Sequence, residues 1–144
     1  MRLTDGRSGL ELIDRLECFR LLAREPVGRL GVVLDGRPFI FPVNYLLAGE
    51  SIVFLTDAGT KLDALSRSPV AFEVDGVDAR TQTGWSVHVS GSAREVTAFS
   101  SADLVRRIES LALRPWAPGD KGHCVQIVPE AVTGRRIVHA EETS

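Results

Sequence analysis

The sequence predicts a mainly-β fold, a closed or partly closed antiparallel barrel with peripheral helices. Three observations predict it. Apolar segments of strand length follow one another through short turns, not through helical crossovers. The helical segments are few and short. No linker, repeat or low-complexity tract divides the chain, so its 144 residues read as one domain with a single core. That core is expected over residues 11–138, with polar, loosely ordered termini.

The elements follow in order. Asp14-Arg15-Leu16-Glu17 has the form of a capping box, with Asp14 as N-cap and Glu17 reaching back. Leu16, Phe19 and Leu22 recur at helical spacing and Pro26 stops the element, which predicts a short amphipathic helix. From Gly28 the pattern becomes strand-like. Gly28 to Leu34 and Arg37 to Tyr45 flank Asp35-Gly36, a pair that supplies the positive φ of a tight hairpin. Ala48-Gly49-Glu50 turns the chain into the strand Ser51 to Thr56, and a helical turn or two at Leu62 to Leu65 is closed by Ser68-Pro69. A strand Val70 to Asp75 comes next, then a polar loop Gly76 to Thr83. Trp85 to Val96 alternates apolar and polar residues as a half-buried strand does. Ala102 to Leu113 places Leu104, Val105, Ile108, Leu111 and Ala112 on one helical face that packs on its own barrel. A rigid loop around Pro115-Trp116 precedes two closing strands, His123 to Val128 and Val132 to Val138, separated by Pro129-Glu130.

Bulk composition narrows the function. Hydrophobic content of 44%, charged content of 25% and a net charge of −2 are those of an ordinary globular protein and argue against a nucleic-acid partner. Cys18 and Cys124 show no metal-ligand spacing and read as reduced structural thiols, which gives no metal site and points to the cytoplasm. No apolar run approaches membrane-spanning length and no signal peptide opens the chain, so no membrane partner is expected.

The segment Phe54 to Leu62 carries most of the chemistry. A strand ends in the polar turn Thr56-Asp57-Ala58-Gly59-Thr60, and Lys61 stands in the first turn of the helix that follows. Hydroxyls, a flexible backbone and a cation at a helix start make a candidate phosphate site. Lys61 also reads as a solvated helix residue, and Thr56 and Thr60 also read as helix caps. Arg29 is either an outward charge on an alternating strand or a cofactor contact. Neither a nucleophile elbow nor a pair of carboxylates stands out, so no catalytic residue is assigned.

The order Val27-Gly28-Arg29-Leu30, Pro42-Val43-Asn44-Tyr45, Thr56 to Lys61, Val70 to Val74 and Gly84-Trp85-Ser86-Val87 resembles the pyridoxamine 5′-phosphate oxidase-like family of flavin-binding split barrels, in its short actinobacterial-type branch. The resemblance covers about residues 11–138. It implies a six-stranded split barrel that forms a homodimer, with FMN at the subunit interface and redox chemistry on a small molecule. Carried over by position, Pro42, Val43 and Asn44 lie along the isoalloxazine edge through backbone groups. Thr56, Thr60 and Lys61 hold the phosphate, with Arg29 or Arg67 as further cations. Trp85 and Ser86 approach the ring, and Pro115-Trp116 caps a neighbouring site. The segment Gly134 to Val138 departs from the substrate-binding strand of the full-length vitamin enzymes. Related split barrels bind a deazaflavin cofactor, others bind haem, for which His88 or His123 is the candidate ligand, and a non-catalytic flavin-sequestering module is the remaining alternative.

Overall fold

The computed structural model describes residues 3–5, 10–97, 99–111, 113 and 122–139. Among these, eight strands form one sheet: β1 (Leu3–Asp5), β2 (Leu10–Ile13), β3 (Val27–Leu34), β4 (Arg37–Ala48), β5 (Ser51–Thr56), β6 (Val70–Asp78), β7 (Thr83–Glu95) and β8 (His123–Ile137). Helices α1 (Arg15–Arg24), α2 (Thr60–Leu65) and α3 (Ala102–Glu109) are peripheral. Six strands close a ring in the order β8-β5-β4-β3-β6-β7 and back to β8, every neighbouring pair antiparallel. The barrel expected from turn chemistry is therefore the fold.

Closure follows from local sequence. Asp35 and Gly36 adopt φ of 51° and 76°, the mirror-image turn that keeps β3 and β4 in register from Leu34↔Arg37 to Val27↔Asn44. Asp14 caps α1 by accepting from the Glu17 backbone N–H at 2.9 Å. The Glu17 carboxylate does not close a capping box; it meets Arg136 at 3.4 Å. The face of α1 also differs from expectation. Cys18, Leu21 and Leu22 are buried, whereas Leu16 is 64% exposed. Inside the ring, Leu30, Phe54, Phe72, Val87, Val89, Val125 and Ile127 meet from successive strands. Tyr45 packs edge-on to Phe72 and donates its hydroxyl to the Leu22 carbonyl at 2.5 Å, which ties α1 to the barrel.

Three elements depart from the sequence reading. The closing segment is one strand, not two. Pro129 is accommodated at a β-bulge, where Ser90 pairs with Ala131 and Gly91 with Pro129, leaving Glu130 opposite no residue of β7. The stretch Gly76 to Thr83 is half strand: β6 and β7 run on as a hairpin arm to the pair Asp78↔Thr83, and the loop is only the turn between them. Asp78 builds its turn by accepting from the Arg80 and Thr81 N–H groups at 3.0 and 3.3 Å. Helix α3 ends at Glu109, because Ser110 donates its hydroxyl to the Arg107 carbonyl at 2.7 Å and competes with the next turn. Its apolar face rests against β4 with Leu104, Val105 and Ile108 half-buried. Ala112 and the Pro115-Trp116 loop lie outside the described residues.

Candidate functional site

The barrel is split between β4 and β5. Strand β4 pairs with β3 along Arg37–Asn44, but with β5 only from Tyr45 to Ala48. Alternate N–H and C=O groups of the Phe39 to Asn44 stretch therefore face a gap instead of a neighbouring strand. Pro42 and Asn44 point to the outer side of β4, while Val43 pairs with Gly28 and packs on the core. Asn44 Nδ2 donates to the Pro26 carbonyl at 3.3 Å, so its side chain secures the α1–β3 corner.

Across that gap stands the turn into α2. Thr56 is 3% exposed and pairs with His123, whose Nδ1 lies 2.6 Å from Glu95 Oε2. Gly59, at φ 141°, precedes α2, and nothing lies within 4 Å of where a Cβ would stand on it. Gly59, having no side chain, gives the helix no side-chain cap of its own. Thr60 begins the helix. Lys61 places Nζ 4.7 Å from the centre of the Phe41 ring, which brings its charge beside β4. Phe41 thus connects the lysine to the strand that carries Pro42, Val43 and Asn44. With six residues, α2 has a modest dipole, and Lys61 supplies most of the positive field.

Trp85 and Ser86 lie elsewhere in the chain. They start β7, whereas α2 meets the end of that strand, where Leu62, Asp63 and Arg67 line a small cavity with Arg94 and Glu95. Nine residues of strand, about 30 Å, separate the two positions. The pair also divides between two faces. Trp85 packs towards the core, with its indole over Gly76, and Ser86 faces outward between Asp75 and Arg135. One chain assembles Pro42, Val43, Asn44, Thr56, Thr60 and Lys61 at the split, and Trp85 and Ser86 stand three strands round the ring, near the level of Asn44, because Pro42, Arg29, Glu73 and His88 pair in one row.

Of the remaining cations, Arg29 takes the outward of its two readings and Arg67 lies past the far end of α2. Arg67 follows the last turn of α2 and not its first. Arg29 lies on the outer face, 3.3 Å from Glu73 and 3.4 Å from Asp75. His88 stands directly opposite Glu73 on β7 and is exposed. This outward row was not legible strand by strand, because only the register brings Arg29, Glu73, Asp75, Ser86, His88 and Arg135 together.

Burial pushes the Glu73 carboxyl up to about 7 from 4.5, the hydrogen bond and charge of Asp75 act the same way, and Arg29 opposes them. The native state then keeps a proton that the unfolded chain releases near 4.5, so stability falls as pH rises from about 4.5 to about 7. Glu73→Gln removes that fall. Thermal unfolding across this range should show the variant gaining on wild type towards pH 8; parallel curves would refute the assignment. Cys18 and Cys124 are both shifted upward by burial, which disfavours a reactive thiolate.

Comparison with known proteins agrees with this architecture. The family model for pyridoxamine 5′-phosphate oxidase matches residues 14–136. The chain belongs to that family. An uncharacterized protein of Mycobacterium tuberculosis is 39% identical over 137 residues, covering 91% of this chain and 88% of its own. The solved FAD binding protein of Mycobacterium smegmatis is 33% identical with a TM-score of 0.70, over 88% of this chain and 99% of the other. A conserved protein of unknown function from Corynebacterium diphtheriae is also 33% identical, with a TM-score of 0.73 over 91% and 100% of the two chains. Among the described residues, no helix is long and apolar enough to cross a membrane.

Proposed function

We propose that the chain is a cytoplasmic flavin-binding oxidoreductase of this family, holding FMN between two copies and acting on a small molecule in the cleft they form. The observation that carries the reading is the split beside Lys61: an open strand edge and a cation at an open turn face one gap. A flavin fits both halves, since its ring system offers acceptors and a donor to backbone groups and its phosphate suits a lysine. The M. smegmatis relative, described as FAD binding, supports a flavin, and FMN is the portion common to both cofactors.

The flavin supplies hydride or single-electron chemistry when bound, and the protein supplies position and electrostatics. In this reading Lys61, Thr56 and Thr60 anchor the phosphate, and the N–H groups of Val43 or Asn44 steady charge that develops on the ring. Ser86 faces outward three strands round the barrel from Asn44, so in this reading it is a second copy that presents it to the ring. Exposed apolar residues on the outer face, Ile40 at 73% and Val77 at 78%, favour cover by that copy. The two unpaired thiols suit a reducing compartment.

The test is a flavin titration combined with chromatography. The expected result is a dimer that binds one FMN per chain with quenched flavin fluorescence. A monomer that leaves FMN fluorescence unchanged would overturn the proposal.

A further inference from the structure

On β6, Phe72 and Val74 point into the core, so Ala71, Glu73, Asp75 and Val77 point outward. The register sets Glu73 between Arg29 on β3 and His88 on β7, in the row that Pro42 begins on β4. Ile40, Gly31 and Ala71 form the row on one side of it. Asp75 with Ser86, and then Val77, lie on the other side. A surface that covers both Ile40 and Val77 therefore covers Glu73. The cavity of about 590 Å³ over Ser86 is walled by Asp75 and Val77, so a flavin ring brought there by a second copy lies beside the same row.

The charges of the row do not balance. One guanidinium, Arg29, lies 3.3 Å from Glu73 and 3.4 Å from Asp75 and serves both carboxyls. With both ionised, one negative charge is left over in each copy, and shutting it away from water is costly. Among the described residues, few other groups face the pair. His88 stands directly opposite Glu73. Arg135 stands opposite Ser86, two strand spacings or roughly 10 Å from Asp75, which is about a Debye length in 0.1 M salt. On the other flank Pro42 brings no charge. A proton on the carboxyl pair removes the excess at its source. The free copy is already poised for it, since burial and Asp75 push Glu73 up to about 7.

We infer that two copies meet across the row of Arg29, Glu73 and His88 and take up a proton at the Glu73–Asp75 pair as they do so, which makes assembly tighter in mild acid and looser in mild base. This rests on the reading that a second copy covers the face, and adds to it a control by pH. The sign follows from linkage. Cover excludes more water, so the pair keeps its proton to a higher pH in the dimer than in the free copy. Assembly is then insensitive to pH well below about 7 and is lost progressively above it.

Fluorescence-detected sedimentation of the labelled full chain, without flavin and at fixed ionic strength, tests this. Between pH 6 and pH 8.5 the dimer dissociation constant should rise at least tenfold. Glu73→Gln keeps the shape and drops the charge, and it should hold the pH 6 value to pH 8.5. Asp75→Asn relieves the same pair and should act alike. His88→Gln should leave the wild-type rise in place. A dissociation constant that is level or falls with pH, or a rise that survives Glu73→Gln and vanishes in His88→Gln, would overturn the inference. Monomers at every pH would overturn it together with the proposed dimer. A pH-dependent dimer that never binds FMN would uphold it and refute only the flavin reading.

Discussion

Replacing Lys61 by alanine should raise the dissociation constant for FMN about ten- to a hundredfold while leaving riboflavin binding nearly unchanged. A charge-assisted hydrogen bond to phosphate contributes roughly 1.5–3 kcal/mol, and each 1.4 kcal/mol is about a factor of ten. Riboflavin lacks the phosphate, so it reports on the strand edge alone. Loss of the Lys61–Phe41 contact costs the fold little, about 0.5–1 kcal/mol for a solvent-facing cation–π pair. Fluorescence titrations of both ligands, read beside thermal unfolding, separate a lost anchor from a damaged protein. An equal loss for both ligands would place the phosphate elsewhere.

Gly91→Ala should be the most damaging single methyl in the barrel. Its Cβ would lie 2.2 Å from the Val128 carbonyl oxygen and 3.0 Å from the carbonyl carbon, both backbone atoms at the bulge that seals β7 to β8. No side chain can rotate away, so a cost of about 3 kcal/mol or more is expected. Gly28→Ala makes a nominally closer contact, 2.1 Å from Phe72 Cζ, but that neighbour is a side chain. The double variant Gly28→Ala, Phe72→Leu should therefore recover part of what Gly28→Ala loses, as a denaturant double-mutant cycle would show. Phe72→Leu should do nothing for Gly91→Ala. Equal rescue of both would mean that the seam at Gly91 yields more readily than backbone packing implies.

Much of the barrel was legible because its turns are chemically explicit. Asp35-Gly36 permits few alternatives, and the cap at Asp14 requires only its own side chain and one backbone N–H. The errors came from residues whose meaning depends on a partner strand. Pro129 reads as a breaker until Gly91 is found opposite it, where a bulge makes the missing N–H harmless. Gly76 reads as loop until the Trp85 indole is found lying over it. The phosphate corner was readable because its residues are nearly contiguous. The unpaired edge of β4 and the cavity over Ser86 were not. Both depend on which strand lies beside which, and on where that pairing stops.

The last strand carries a consequence for how the protein is made. β8 pairs with β5 near its start, with β7 along most of its length and with β2 near its end. Until it emerges from the ribosome, the earlier strands have no common partner, and three edges stay open to other nascent chains. Ring closure then waits for β8 to bridge β7 and β5, the latter far back along the chain, a slow, non-local step. Synthesis paused before His123 should leave a chaperone client, and the emergence of β8 should be the event that ends that dependence.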